Sequence, residues 1–153
     1  MRFSVQLLTL AILVSFVAIV TGCKPTQSDD RCFDRLWRVA HSIQMYSDDN
    51  DDSYPDAKGW MDTMSKFDSS LEPMLHDPEL KEKDDYGYAY RDKASKVKSK
   101  SIPKPEEFEL VFDSTLTGRS AHGELNTLPS PGRHNGGNNI GYLDGHVKHI
   151  EKE

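Results

Sequence analysis

The stretch from Arg31 to Tyr46, RCFDRLWRVAHSIQMY, constrains the fold more than any other part of the chain. Cys32, Leu36, Val39, Ile43 and Tyr46 recur at helical spacing, and Phe33, Trp37 and Ala40 widen the stripe. An apolar face of that width and period predicts an amphipathic helix that must bury one side against another layer. The eight residues before it, CKPTQSDD, read as a polar tether from Cys23 to Asp30, with Ser28, Asp29 and Asp30 as candidate N-caps.

The other layer is read from segments of period two. Asp84 to Tyr90 places Tyr86, Tyr88 and Tyr90 on one face of a strand, and Phe108 to Asp113 alternates Phe108, Leu110 and Phe112 against Glu109 and Val111. Near the C-terminus, Asp144-Gly145 between apolar flanks predicts a two-residue type I′ turn. That turn would pair Leu143 with His146, Tyr142 with Val147, Gly141 with Lys148 and Ile140 with His149. Ile140, Tyr142, Val147 and His149 would then form the core face, with Gly141, Leu143, His146 and Lys148 opposite. Gly59 to Phe67 and Leu71 to Leu75 read as short helical or irregular pieces, lysine-rich Arg91 to Pro105 as a solvated connector, and Ser114 to Pro131 as a long loop. The expected architecture is α+β, an N-terminal helix packed on a small antiparallel sheet that ends in a hairpin.

The first residues set the compartment. Arg2 precedes an uncharged run from Leu7 to Val20, as in the first two regions of an export signal. The run closes in Val20-Thr21-Gly22-Cys23, which resembles a bacterial lipobox. It implies cleavage before Cys23 and lipidation of its sulfur, with residues 1–22 as leader, 23–30 as tether and 31–153 as one globular domain. The competing reading is an uncleaved membrane helix from Phe3 to Gly22. Either way the domain lies outside the cytoplasmic membrane, and a diacylated anchor tethers it stably. Lys24 after the cysteine resembles outer-membrane cargo. The chain carries a net charge of −6, which loss of Arg2 makes more negative, so nucleic acid is excluded as a natural partner.

Candidate chemistry is sparse. Three histidines crowd the closing RHNGGNNIGYLDGHVKHI, yet a chain reversal at Gly136 and Gly137 leaves Asp144 about 16 Å of strand from His134. The two would not share one ion. A site would need His146 or Asp144 with distant partners such as Asp113 or His122, and His134 is expected to hold down the glycine loop. In the acidic SDDNDDSYPD, Asp48, Asn50 and Asp52 alternate like the start of a calcium loop. The sixth and twelfth positions are Ser53 and Gly59 rather than glycine and glutamate, so a solvated turn is preferred. With Cys23 acylated, Cys32 has no disulfide partner and reads as a packing residue. No Ser-His-Asp order, phosphate loop or paired zinc motif appears, and no cofactor is expected.

His134, nine intervening residues and Asp144-Gly145-His146 resemble the C-terminal His-x9-Asp-Gly motif of a bacterial family of pilin-like proteins related to type II secretion pseudopilins. The Cys32 helix with its Met-Tyr, acidic turn and Tyr-Pro, followed by YGYAY and LVFDS, resembles the same family, so the similarity runs from about Cys32 to Ile150. It implies a helix on a small sheet and gives the motif residues a structural role. Two features depart from the pattern. The apolar leader ends in Gly22-Cys23 instead of a prepilin-peptidase site, and His76-Asp77-Pro78 stands where the family often has Cys-Pro.

These readings lead to an expected function: a non-catalytic, lipid-anchored envelope protein whose pilin-like domain binds or supports another envelope or secretion-system component. The alternatives are a minor pseudopilin-like subunit that keeps its apolar helix, and a metal-dependent envelope enzyme built on the loop between Ser114 and Asn138.

Overall fold

The computed structural model describes residues 27–151, so the leader, the lipobox and Cys23 lie outside the described residues. Helix α1 runs from Gln27 to Asp49, longer at both ends than the apolar stripe suggests. Ser28, Asp29 and Asp30 therefore sit in its first turn rather than at its cap. Cys32, Leu36, Val39, Ala40 and Ile43 are wholly buried on its inner face. Helix α2, Trp60–Phe67, buries Trp60, Met61 and Met64, and a short 3-10 turn, Ser69–Met74, adds Leu71.

Five strands follow: β1 Tyr88–Arg91, β2 Glu109–Asp113, β3 His122–Gly123, β4 Gly137–Tyr142 and β5 Val147–Glu151. They form one sheet in the order β3-β1-β2-β4-β5. The α+β class holds, but the sheet is mixed. β3 pairs parallel to β1, because the loop after β2 carries the chain across β1 before it turns back.

Both faces of the sheet are covered. Tyr88, Tyr90, Leu110, Val111 and Leu143 pack against the helices, and Tyr86 joins them. Ala89, Phe112, Ile140 and Tyr142 face the opposite way, under Ala121, Leu125 and Leu128 of the long loop. The strict alternation expected from Phe108 to Phe112 fails at a register shift between Glu109 and Val111. A bulge there turns Leu110 and Val111 to the same side and leaves Phe112 on the other.

The C-terminal hairpin also differs from expectation. Gly141 pairs with Val147, Ile140 with Lys148 and Asn139 with His149, one residue out of the predicted register. Gly145 N–H donates to Tyr142 carbonyl and Tyr142 N–H to His146 carbonyl, which closes a three-residue loop over Leu143, Asp144 and Gly145. Gly145 has φ +86° and Asp144 is not among the residues of positive φ, the pattern of a turn followed by a glycine bulge. The slip of one residue exchanges the faces. Leu143, at 1% exposure, joins the helix-side core, while Ile140 and Tyr142 turn away from it. The two-residue turn with positive φ at both centres lies instead at Asn135-Gly136, φ +48° and +84°, between paired His134 and Gly137.

The acidic turn is neutralised from within. Lys100 pairs with Asp52 at 2.6 Å, Lys96 with Asp56 at 2.6 Å, and Lys98 Nζ donates to the Asp51 carbonyl. Backbone bonds from Tyr54 to Val97 and from Ser99 to Asp52 stitch the two segments together. The Arg91–Pro105 connector is thus an ordered counter-charge for the end of α1, where carboxylates oppose the helix dipole.

Candidate functional site

The turn at Asn135-Gly136 is held by reciprocal backbone bonds, His134 N–H to Gly137 carbonyl and Gly137 N–H to His134 carbonyl. This much agrees with a histidine that pins a glycine loop. The side chain does more. It is 1% exposed and enters the interior, where Nε2 lies 3.2 Å from Asp77 Oδ2 and 3.3 Å from Asp113 Oδ2. Neither ring nitrogen points in line at a single acceptor, so the contact is an ion pair shared between two carboxylates.

Each partner comes from a different element. Asp113 ends β2, wholly buried, and its Oδ2 accepts the Asn139 N–H from β4 at 2.5 Å, while Oδ1 has no partner. Asp77 follows the turn after α2. Its Oδ1 accepts the Glu79 N–H at 3.0 Å and faces Cys32 Sγ of α1 at 3.7 Å, and its Oδ2 accepts Arg133 Nη1 at 2.6 Å. Arg133 also donates to the carbonyls of Gly87 and Ser114. Gly87, at φ +79°, is required here, since a Cβ would come within 2.9 Å of both Arg133 Nη1 and Asp77 Cβ.

The electrostatics follow from this geometry. Burial opposes the His134 imidazolium, but the adjacent Asp113 and Asp77 carboxyls, with Cys32 nearby, outweigh it and push the ring up to about 12. Burial raises Asp113. The same burial acts on Asp77, yet bonds from His134, the Glu79 amide and Arg133 bring it below the usual range. Burial also pushes the Cys32 thiol up, only partly offset by His134, and holds the nearby Tyr88 phenol well above its ordinary value. The His134 and Arg133 side chains thus face the Asp77 and Asp113 carboxyls in a largely buried cluster.

The sequence motif divides between two places. Asp144, Gly145 and His146 lie beyond the far end of β4, where His146 Nδ1 meets Asp144 Oδ1 at 2.5 Å and the imidazole stacks on Tyr142. That pair is partly exposed and local. Asp113 partners His134 rather than His146 or Asp144, and His122 contacts Asp92. At the acidic turn Asp52 is held by Lys100 and the Asn50 amide donates back to the Tyr46 carbonyl, so Asp48, Asn50 and Asp52 do not converge. The roles of Asp77 and Arg133 were missed. Their only local signal was polar residues beside an expected strand end and turn.

A second feature lies on the outer side of α1. Phe33, Trp37 and Met45 are 37, 44 and 49% exposed, and His41 stacks on Trp37 between them. The row borders a groove lined by Trp37, Arg38, His41, Asp68, Leu71 and Met74. Comparison of the chain with protein-family models, with curated proteins and with solved structures finds no match in any of the three.

Proposed function

We propose that the protein is a non-catalytic, lipid-anchored envelope module with a pilin-like domain, and that it holds another envelope protein against the outer face of α1. The observation that carries this reading is the row Phe33, Trp37, His41 and Met45, four apolar or aromatic side chains at i, i+4 spacing beside a groove. Three large apolar groups aligned on one exposed face exceed the scattered apolar residues of an ordinary surface, and aromatic anchors dominate contact energetics. The row begins ten residues after Cys23, so a lipid anchor there would present it close to the membrane. The His134 cluster supports a scaffold role, because it is sealed from any substrate and ties α1 to the sheet.

A photo-crosslinking residue at position 37, with exposed Lys83 as the control position, tests the reading in intact cells. A discrete protein adduct at 37, absent at 83 and lost with Cys23→Ser, is expected. Adducts to lipid alone, or the same pattern at both positions, would overturn it.

A further inference from the structure

We propose that Cys32, Asp77 and His134 form a buried three-ligand site for a divalent transition-metal ion of the zinc class. The donor set is one thiol, one imidazole and one carboxylate, groups that zinc accepts as ligands. Cys32, Asp77 and His134 each offer a ligand atom within 4.8 Å of the others, and all three are buried.

The spacing fits one ion. Metal–ligand bonds of about 2.0 to 2.3 Å in a tetrahedron place ligand atoms about 3.3 to 3.8 Å apart. His134 Nε2 lies 3.2 Å from Asp77 Oδ2, and Cys32 Sγ lies 3.7 Å from Asp77 Oδ1. The independent pointer is His134 itself. It is 1% exposed and aimed into the cluster, with neither nitrogen in an in-line hydrogen bond, and Asp113 Oδ1 beside it is also without a partner. Buried polar atoms are seldom left so.

Charge and outer-shell contacts agree. A divalent ion in place of one proton on His134 and one on Cys32 leaves the net charge of the cluster unchanged. Ligating carboxylates are ordinarily held by further hydrogen bonds. Here Arg133 and the Glu79 amide hold Asp77. The three ligands come from α1, the turn after α2 and the start of the C-terminal hairpin, so a bound ion would brace α1 against the rest of the fold. This inference is independent of the docking reading.

The test uses the mature-length chain with Cys23→Ser, so that Cys32 is the sole thiol. Zinc analysis after dialysis should give one equivalent, cobalt should give a thiolate charge-transfer band with tetrahedral visible bands, and zinc X-ray absorption should show one sulfur among nitrogen and oxygen neighbours. Cys32→Ala should abolish the cobalt band. If that variant does not fold, the X-ray absorption ligand set of the parent protein decides alone. Metal removed by dialysis, a sulfur-free coordination shell, or a cobalt spectrum that survives in folded Cys32→Ala would overturn the site.

Discussion

Asp77 and Arg133 lie 56 residues apart in the chain and meet in an ion pair of 2.6 Å whose carboxylate is fully buried. The contact joins the turn after α2 to the entry of the C-terminal hairpin. Through Cys32 and Asp113 it reaches α1 and β2 as well.

Removal of His134 should therefore cost far more than removal of the other motif histidine. His134→Ala leaves two buried carboxylates with less compensation, and loss of one partner from a buried ionic group typically costs about 3 to 5 kcal/mol. His146→Ala removes a partly exposed local pair and should cost under about 1 kcal/mol. Urea unfolding of both variants checks the ranking, and equal losses would contradict it.

Gly145→Val should destabilise the domain by about 1 to 3 kcal/mol, because φ is +86° there and a β-branched residue adopts that region only with strain. Gly136→Val should behave alike at φ +84°. Asp144→Ala, in contrast, should shift stability by less than about 1 kcal/mol, since Asp144 is not held at positive φ and gives up only its exposed local contacts. A large loss at Asp144 would restore the two-residue turn.

Acid should weaken one surface network in a defined window. Hydrogen bonds from Arg119, then Ser65, hold the Glu72 carboxyl at about 2 against an ordinary 4.5. A depressed folded-state value means the contribution is present above about 4.5 and is lost as pH falls through about 2. Glu72 is substantially exposed, so solvent screening keeps the effect small. Glu72→Gln should flatten the pH dependence of Tm between those values, lowering Tm slightly at neutral pH and leaving it nearly unchanged near pH 2.

The acidic turn should respond to its lysines more than to calcium. Lys98→Glu with Lys100→Glu should lower Tm at low ionic strength and less so at high salt, since both contacts are exposed. Calcium should move the midpoint only slightly. A rise of many degrees, abolished by Asp48→Ala with Asp52→Ala, would show that the carboxylates converge on an ion.

The sequence by itself determined the elements. The period of Leu36, Val39 and Ile43 and the alternation of Tyr88 with Tyr90 report how one backbone segment presents its own side chains, so α1, β1 and the helix-on-sheet class were legible without the fold. Tertiary structure decided how those segments meet. Two steps, Asn135-Gly136 and Asp144-Gly145, could each host a tight turn, and burial of Leu143 beneath α1 fixed the loop length and register that no local pattern sets. The lysines at 96 to 100 became partners of the acidic turn because the chain returns to it. Cys32, Asp77, Asp113 and His134 came together from α1, a turn, β2 and a hairpin, since sheet order brings them to one buried point where unpaired charge is too costly to leave alone.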